Sequence, residues 1–184
     1  MILVKDIILK GNPDLEVKCS PVSLPVSRKD LSILKSMMRY LERSQDEKLC
    51  TKYGLKAGVG LAAPQIDIKK RMLAMYIEGD TVENTILFGI INPEILAESV
   101  QMIYLPGGEA CLSIPGVKGN VLRHQKVRFK ALFFDYKKGT LTNQVVELRG
   151  YPAIVFQHEF DHLNGILFTD KIVENTGNAL PCEF

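Results

Sequence analysis

Between Asp30 and about residue 48, Leu31, Ile33, Leu34, Met37, Met38 and Leu41 recur at three- and four-residue intervals among Lys, Arg, Ser and Glu. That spacing puts the apolar side chains on one face of a helix, with Asp30 as its N-cap. The Met37-Met38 pair on that face reads as core packing. Before this helix, Gly11-Asn12-Pro13-Asp14 and then Pro21 and Pro25 forbid continuous helix, so the first residues are expected to form an extended arm. Downstream the period shortens. Residues 71–77 and 85–93 are short apolar segments separated by Glu78-Gly79-Asp80. Residues 100–104, 127–136 and 144–149 add further strands, with Lys137-Lys138-Gly139-Thr140 turning between the last two, and all of these are expected to run antiparallel. From residue 151 to about 163 the chain carries Ile154, Val155, Phe156, Phe160 and Leu163, which suits one buried helix with Pro152 in its first turn and Gly165 beyond its end. Residues 175–184, with Asn175, Gly177 and Pro181, read as a loose tail. The elements together make an α+β chain.

At 184 residues the chain can close a single core. Its 46% hydrophobic and 24% charged residues, with a net charge of +2, are the balance of an ordinary soluble protein. Basic residues come in short runs, Lys69-Lys70-Arg71 and Lys137-Lys138, too sparse for the positive stripe that phosphate backbones require. They read as solvated faces, and no sequence-specific nucleic-acid binding is expected. No apolar run approaches the roughly 18 residues of a spanning helix, and no signal segment opens the chain, so a cytoplasmic protein without a membrane partner is expected. Cys19, Cys50, Cys111 and Cys182 lack paired spacing, which argues against a disulfide framework.

The densest chemistry lies in His158-Glu159-Phe160-Asp161-His162. Residues four apart share a helix face, so both imidazoles can aim at one metal ion with Glu159 beside it. A divalent ion with an open position lowers the pKa of a bound water into the neutral range, and a neighbouring carboxylate can move the proton. That is a hydrolase in outline. A third ligand is required, and no further histidine follows His162. Glu174 could serve, but Cys111 is the better candidate, a soft donor flanked by Gly107-Gly108 and Pro115-Gly116 that impose a specific backbone path. Taken alone, Cys111 reads as a buried structural cysteine rather than a ligand. The run Gly58-Val59-Gly60-Leu61-Ala62-Ala63-Pro64-Gln65 offers backbone almost free of side chains, open to close approach by another group such as a substrate.

Read in order, Gly58 to Gln65, Glu109-Ala110-Cys111-Leu112-Ser113 and His158 to His162 resemble the three signature motifs of the peptide deformylase family, Gly-x-Gly-Leu-Ala-Ala-x-Gln, Glu-Gly-Cys-Leu-Ser and His-Glu-x-x-His. The resemblance runs from Gly58 to Gly165, with the long spacers of the form common in Gram-positive bacteria. It implies antiparallel sheet segments around a central helix carrying the HExxH motif, in one catalytic domain over residues 1–184. It further implies removal of the N-formyl group from N-formylmethionyl nascent peptides, with release of formate and the ribosome as a further partner. By the same resemblance Cys111, His158 and His162 hold a divalent metal ion, Fe2+ in the cell, replaceable by Zn2+, Ni2+ or Co2+. Glu159 is the general base and acid, while the Gln65 side chain and the Leu112 backbone N–H receive the oxyanion. Gly60 bonds the formyl group or peptide through its backbone, and Val59, Tyr151, Ile154 and Val155 line the methionine pocket.

Ala110 departs from the family, which has glycine there, and its methyl group requires a negative φ. His124 matches no motif and reads as a surface or strand-edge residue. An HExxH metallopeptidase would need a third ligand after His162. A zinc-stabilised binding domain would need a fourth, for which Cys50 and Cys182 are the candidates.

Overall fold

The first long helix starts earlier than Asp30, because Ser27 is its cap. In the computed structural model, which describes residues 1–81 and 84–182, α1 spans Arg28–Gln45. The Ser27 Oγ accepts the Asp30 N–H at 3.1 Å and donates to the Asp30 carboxylate at 2.8 Å. Asp30 is therefore the third helical residue, buried and paired with Lys70 at 2.6 Å, and the capping role falls to the serine three residues before it. Asp46 stops α1 and caps α2, Glu47–Tyr53, by accepting the Leu49 N–H at 2.9 Å. The arm before α1 is less extended than expected: it holds single 3-10 turns at Val4–Asp6 and Pro13–Glu16 and makes an isolated Ser20–Lys70 bridge to the segment just before Met72.

Among the described residues ten strands follow: β1 Gly60–Ala62, β2 Met72–Ile77, β3 Ile86–Glu98, β4 Met102–Tyr104, β5 Glu109–Cys111, β6 Ile114–Gly119, β7 Arg123–His124, β8 Lys126–Asp135, β9 Thr140–Arg149 and β10 Leu180–Pro181. The helix α3, Tyr151–Leu163, lies between β9 and β10 in sequence. A five-stranded antiparallel sheet runs in the order β1-β2-β3-β8-β9. The middle of β2 is apolar at every position because the sheet is covered on both faces. Met72 and Ala74, with Ile91 of β3, meet Leu34, Met37, Met38 and Leu41 of α1. Leu73 and Met75, with Ile90, meet Ala153, Val155, Phe156 and Leu163 of α3. Helix α1 lies so close that a Cβ on Gly89 would stand 2.8 Å from the Met38 sulfur.

Strand β3 passes through Pro93, where the pattern predicts an end. Asn92 adopts a left-handed φ of 49°, and its side chain bonds both the N–H and the C=O of Val22 at 2.8 and 2.9 Å. The register shifts between Ile91 and Glu94, so the proline sits in a bulge where its missing N–H is not needed.

Helix α3 is buried along nearly its whole length, as its apolar pattern predicts. Pro152 occupies the first turn, and Gly165, at φ +72°, ends the helix where a Cβ would meet the Glu16 carbonyl at 2.5 Å. Arg71 donates to the Leu163 carbonyl at 3.2 Å, a cation at the helix C-terminus. Gln157 joins the helix to β7, accepting the His124 N–H at 2.9 Å and donating to its C=O at 2.8 Å.

Two small sheets complete the surroundings of α3. One has the order β10-β4-β7, in which β10 runs parallel to β4, a departure from the all-antiparallel expectation. The tail read as loose is thus docked at residues 180–182, with Cys182 buried and its N–H bonded to the Tyr104 carbonyl at 2.8 Å; residues 183–184 lie outside the described residues. The other is the β5-β6 hairpin, absent from the sequence reading because Gly107, Gly108, Pro115 and Gly116 break the strand pattern. No helix of the described residues is long and apolar enough to cross a membrane.

Candidate metal centre

Strand β5 ends at Cys111, which pairs with Ile114 across the two residues Leu112 and Ser113, so the thiol sits at the tip of a hairpin. The tip meets α3, where His158 and His162 lie one turn apart with ring centroids separated by 5.1 Å. One ligand atom from each of the three residues lies within 4.8 Å of the other two, and the Cys111 Sγ is 3.3 Å from the His162 Nε2. Among the described residues this is the one cluster of His, Cys, Asp or Glu that could hold a metal ion.

The donors fit that purpose. His158 places Nδ1 2.8 Å from the Glu109 carboxylate, which assigns the proton to Nδ1 and leaves the Nε2 lone pair facing the cluster. Burial opposes a charge on His158, but hydrogen bonds with Cys111 and Glu109 and the charge of Glu159 outweigh it and raise the pKa to about 10. A metal held there would have to displace the second proton of His158, and its binding would release protons. Burial first, then the positive charges of His158 and Arg123, hold His162 well below its ordinary value and keep it a neutral donor. The Oε2 of Glu159 and the Nδ1 of His162 are buried without a hydrogen-bond partner. One sulfur and two nitrogens with an unpartnered carboxylate oxygen beside them suit a borderline-soft divalent ion.

Behind the three candidate ligands lies an ionic network to which the sequence pattern assigns no role. Arg123, 1% exposed, grips Glu109 with two bonds of 2.7 and 2.9 Å and also bonds Asp161, which takes a further 3.0 Å bond from Lys171. Glu109 and Asp161 belong to the second and third motifs, so a signal for them existed. Arg123 stands alone in sequence, and only the fold brings it to them. Burial alone would raise the Glu109 pKa, but the Arg123 and His158 bonds overcome this and lower it to about 2. Its folded value lies below the ordinary 4.5, so its contribution to stability is present above that pH and is lost as pH falls toward 2. Arg123→Met should leave Glu109 with only His158 and Asp161 with only Lys171, and cost about 3 to 5 kcal/mol. In chemical denaturation, acid unfolding of the variant should begin at a higher pH than in the unaltered protein.

Glu159 reaches the cluster from α3 past β1. Burial pushes its carboxyl up to about 7, with the Glu109 charge adding to the effect and His158 and Arg123 opposing it. Gly60 makes the room: a Cβ there would stand 2.3 Å from the Glu159 Oε1. The small-residue run therefore accommodates, at this position, the protein's own carboxylate. Gly60→Ala should displace that carboxylate and lower kcat by about 100-fold. Steady-state kinetics alongside metal analysis would separate this from loss of the ion.

Gln65, 1% exposed, has its carboxamide fixed. The Oε1 accepts the Ala62 N–H at 2.8 Å, which turns the Nε2 toward the Cys111 Sγ at 3.4 Å and the Ser113 Oγ at 3.3 Å. A pocket of about 560 Å³ opens in front, lined by Val59, Gly60, Gln65, Cys111, Leu112, Tyr151, Ile154, Val155, His158 and Glu159 among others. Every residue to which the family resemblance gives a role lines it except His162, which lies behind the surface at 1% exposure. Ala110 is not among the residues with positive φ, so its methyl group strains nothing. His124 is on β7, its Nδ1 2.6 Å from the Ser99 carbonyl, at a strand edge as expected. Neither Glu174 nor the two other candidate cysteines joins the cluster: Cys50 bonds the Leu55 carbonyl, and Cys182 packs against Ile103 and Ile154.

Comparison with known proteins finds relatives along nearly the whole chain. The sequence profile of the polypeptide deformylase family matches residues 4–178. A peptide deformylase of Staphylococcus epidermidis is 47% identical over 176 residues, covering 95% of this chain and 93% of the relative. Peptide deformylase 2 of Geobacillus stearothermophilus is 47% identical over 175 residues, covering 94% and 91%. Among solved structures, the peptide deformylase of Thermotoga maritima superposes with a TM-score of 0.64 at 34% identity, covering 91% of this chain and 96% of that one.

Proposed function

Because the chain belongs to the polypeptide deformylase family, metal-dependent hydrolases that remove the N-formyl group from nascent peptides, we propose that Cys111, His158 and His162 hold its metal and that Glu159 moves the proton. The observation that carries this assignment is the buried, unpartnered Glu159 oxygen beside the Cys-His-His cluster on the pocket floor. The proposed occupant in the cell is ferrous iron, following the family resemblance, and zinc, nickel or cobalt would suit the same sulfur and nitrogen donors. When bound, the ion supplies a Lewis acid that polarises a carbonyl and brings the pKa of water toward neutrality.

The side chains do the rest. Glu159 takes a proton from the attacking water as its oxygen adds to the formyl carbon, and then gives that proton to the amine nitrogen as the C–N bond breaks. Formate and a free N-terminus leave. A carboxyl with a pKa of about 7 suits both transfers. The Gln65 Nε2, fixed in direction by the Ala62 N–H, donates to the developing oxyanion together with the Leu112 N–H. The Gly60 backbone bonds the formyl group or peptide, and Val59, Tyr151, Ile154 and Val155 receive the methionine side chain, whose unbranched thioether adapts to an apolar slot. We assign residues 1–184 to one catalytic domain that meets its substrates as they leave the ribosome in the cytoplasm.

The test compares two methionyl peptides differing only in the N-acyl group. The formyl peptide should be hydrolysed and the acetyl peptide should not, because the added methyl group crowds the acyl carbon among Gly60, Gln65 and Glu159. Equal hydrolysis of both would overturn the placement of the acyl group there.

A further inference from the structure

One side of the pocket is backed by a segment distant from it in sequence. Ile154 lines the pocket from α3 and is 1% exposed; on the side away from the pocket it belongs to a small cluster with Ile103 of β4 and Cys182 just after β10. Leu105 and Tyr151, which also line the pocket, pack against the same cluster. Cys182 stands at the entry to α3, since a Cβ on Gly150 would lie 4.0 Å from its sulfur. Burial, and then the neighbouring Cys182, push the Tyr151 phenol above its ordinary pKa, which also places the two side by side.

The attachment of this backing is narrow. Strand β10 pairs with β4 over two residues, Leu180 with Ile103 and Pro181 with Tyr104, and the Cys182 N–H adds a bond to the Tyr104 carbonyl at 2.8 Å. Leu180 is 50% exposed, so the burial that holds the segment comes chiefly from Cys182. From these contacts we propose that residues 180–182 are a specificity-determining element: they fix Ile154 and Tyr151 from behind and so set the width of the slot that receives the substrate's first side chain. The proposal rests on the assignment of that slot above. Cys182 acts here as a positioning residue through its volume, and the thiol performs no chemistry. If the backing is loosened, Ile154 and Tyr151 gain freedom, and a side chain that fills the slot loses contacts that a small side chain never made.

The experiment measures kcat/KM for formyl-methionyl and formyl-alanyl peptides with identical downstream residues. It uses the unaltered protein, Cys182→Ala and a chain ending after Asn178. Burying the three additional heavy atoms of methionine should give the unaltered protein roughly 50-fold preference over alanine. The ratio is independent of the fraction of active protein, so a general loss of folding or metal does not move it. The shortened chain should lower the preference by about 5- to 10-fold and Cys182→Ala by about threefold, with the change residing in KM for the methionyl peptide. Should the shortened chain fail to fold, the full-length Cys182→Ala protein decides the matter. A ratio within twofold of the unaltered protein's in the folded variants overturns the role of residues 180–182 and leaves the slot assignment standing. No methionine preference in the unaltered protein overturns the slot assignment and this inference with it.

Discussion

Glu159→Gln is expected to lower kcat by about 10²- to 10⁴-fold while the protein keeps its fold and its metal. Glutamine preserves the length and volume of the side chain, so the space beside Gly60 that a Cβ would invade remains properly filled. It also removes a group whose ionisation burial disfavours, since the carboxyl sits at about 7 instead of its ordinary 4.5. Thermal stability should therefore hold or rise, and any loss of rate belongs to proton transfer. The amide can neither take the proton of the attacking water nor deliver it to the amine. Rapid-quench measurement of formate release under saturating substrate, with metal content determined on the same sample, reads this directly. Normal turnover in Glu159→Gln would remove Glu159 from the proton path.

The second large effect is on the metal. Cys111→Ala should reduce metal affinity by more than the roughly 10- to 100-fold typical of changes to the groups behind the ligands, and turnover should fall with it. The hairpin itself should survive, because Cys111 is only partly buried and its pairing with Ile114 runs through the backbone. Two histidines on one helix face would remain, one of them with its outer nitrogen unpartnered. Competition with a coloured chelator gives the affinity independently of activity. A Cys111→Ala protein that holds its ion as tightly as the unaltered chain would return the cysteine to a structural role.

Much of this centre was legible in the sequence because helix geometry is local. The four-residue spacing of His158 and His162 fixes their common face, and the apolar neighbours Ile154, Val155 and Phe156 bury the helix that carries them. Cys111 lacked such a local signal. Its hairpin is built on Glu109–Cys111 and Ile114–Gly119, where glycine and proline mask the strand period, and its proposal as a ligand rests on the resemblance of three motifs taken together. Arg123 lay beyond reach altogether: an isolated arginine in sequence becomes the partner of Glu109 and Asp161 only once β7 is laid along α3. The docking of residues 180–182 was hidden for a related reason, since two paired residues and one buried cysteine carry no period. Ser27, a serine three residues before an acidic side chain, carries a stronger capping signal than Asp30, and the structure gives it the cap.

The central claim, that one ion held by Cys111, His158 and His162 is required for deformylation, is tested most directly by measuring metal content and formate release together on protein purified without oxygen, before and after chelation. A single divalent ion per chain should be found, release from a formyl-methionyl peptide should disappear as the ion is removed, and ferrous iron should restore both. Formate release at the full rate from metal-free protein would contradict the account.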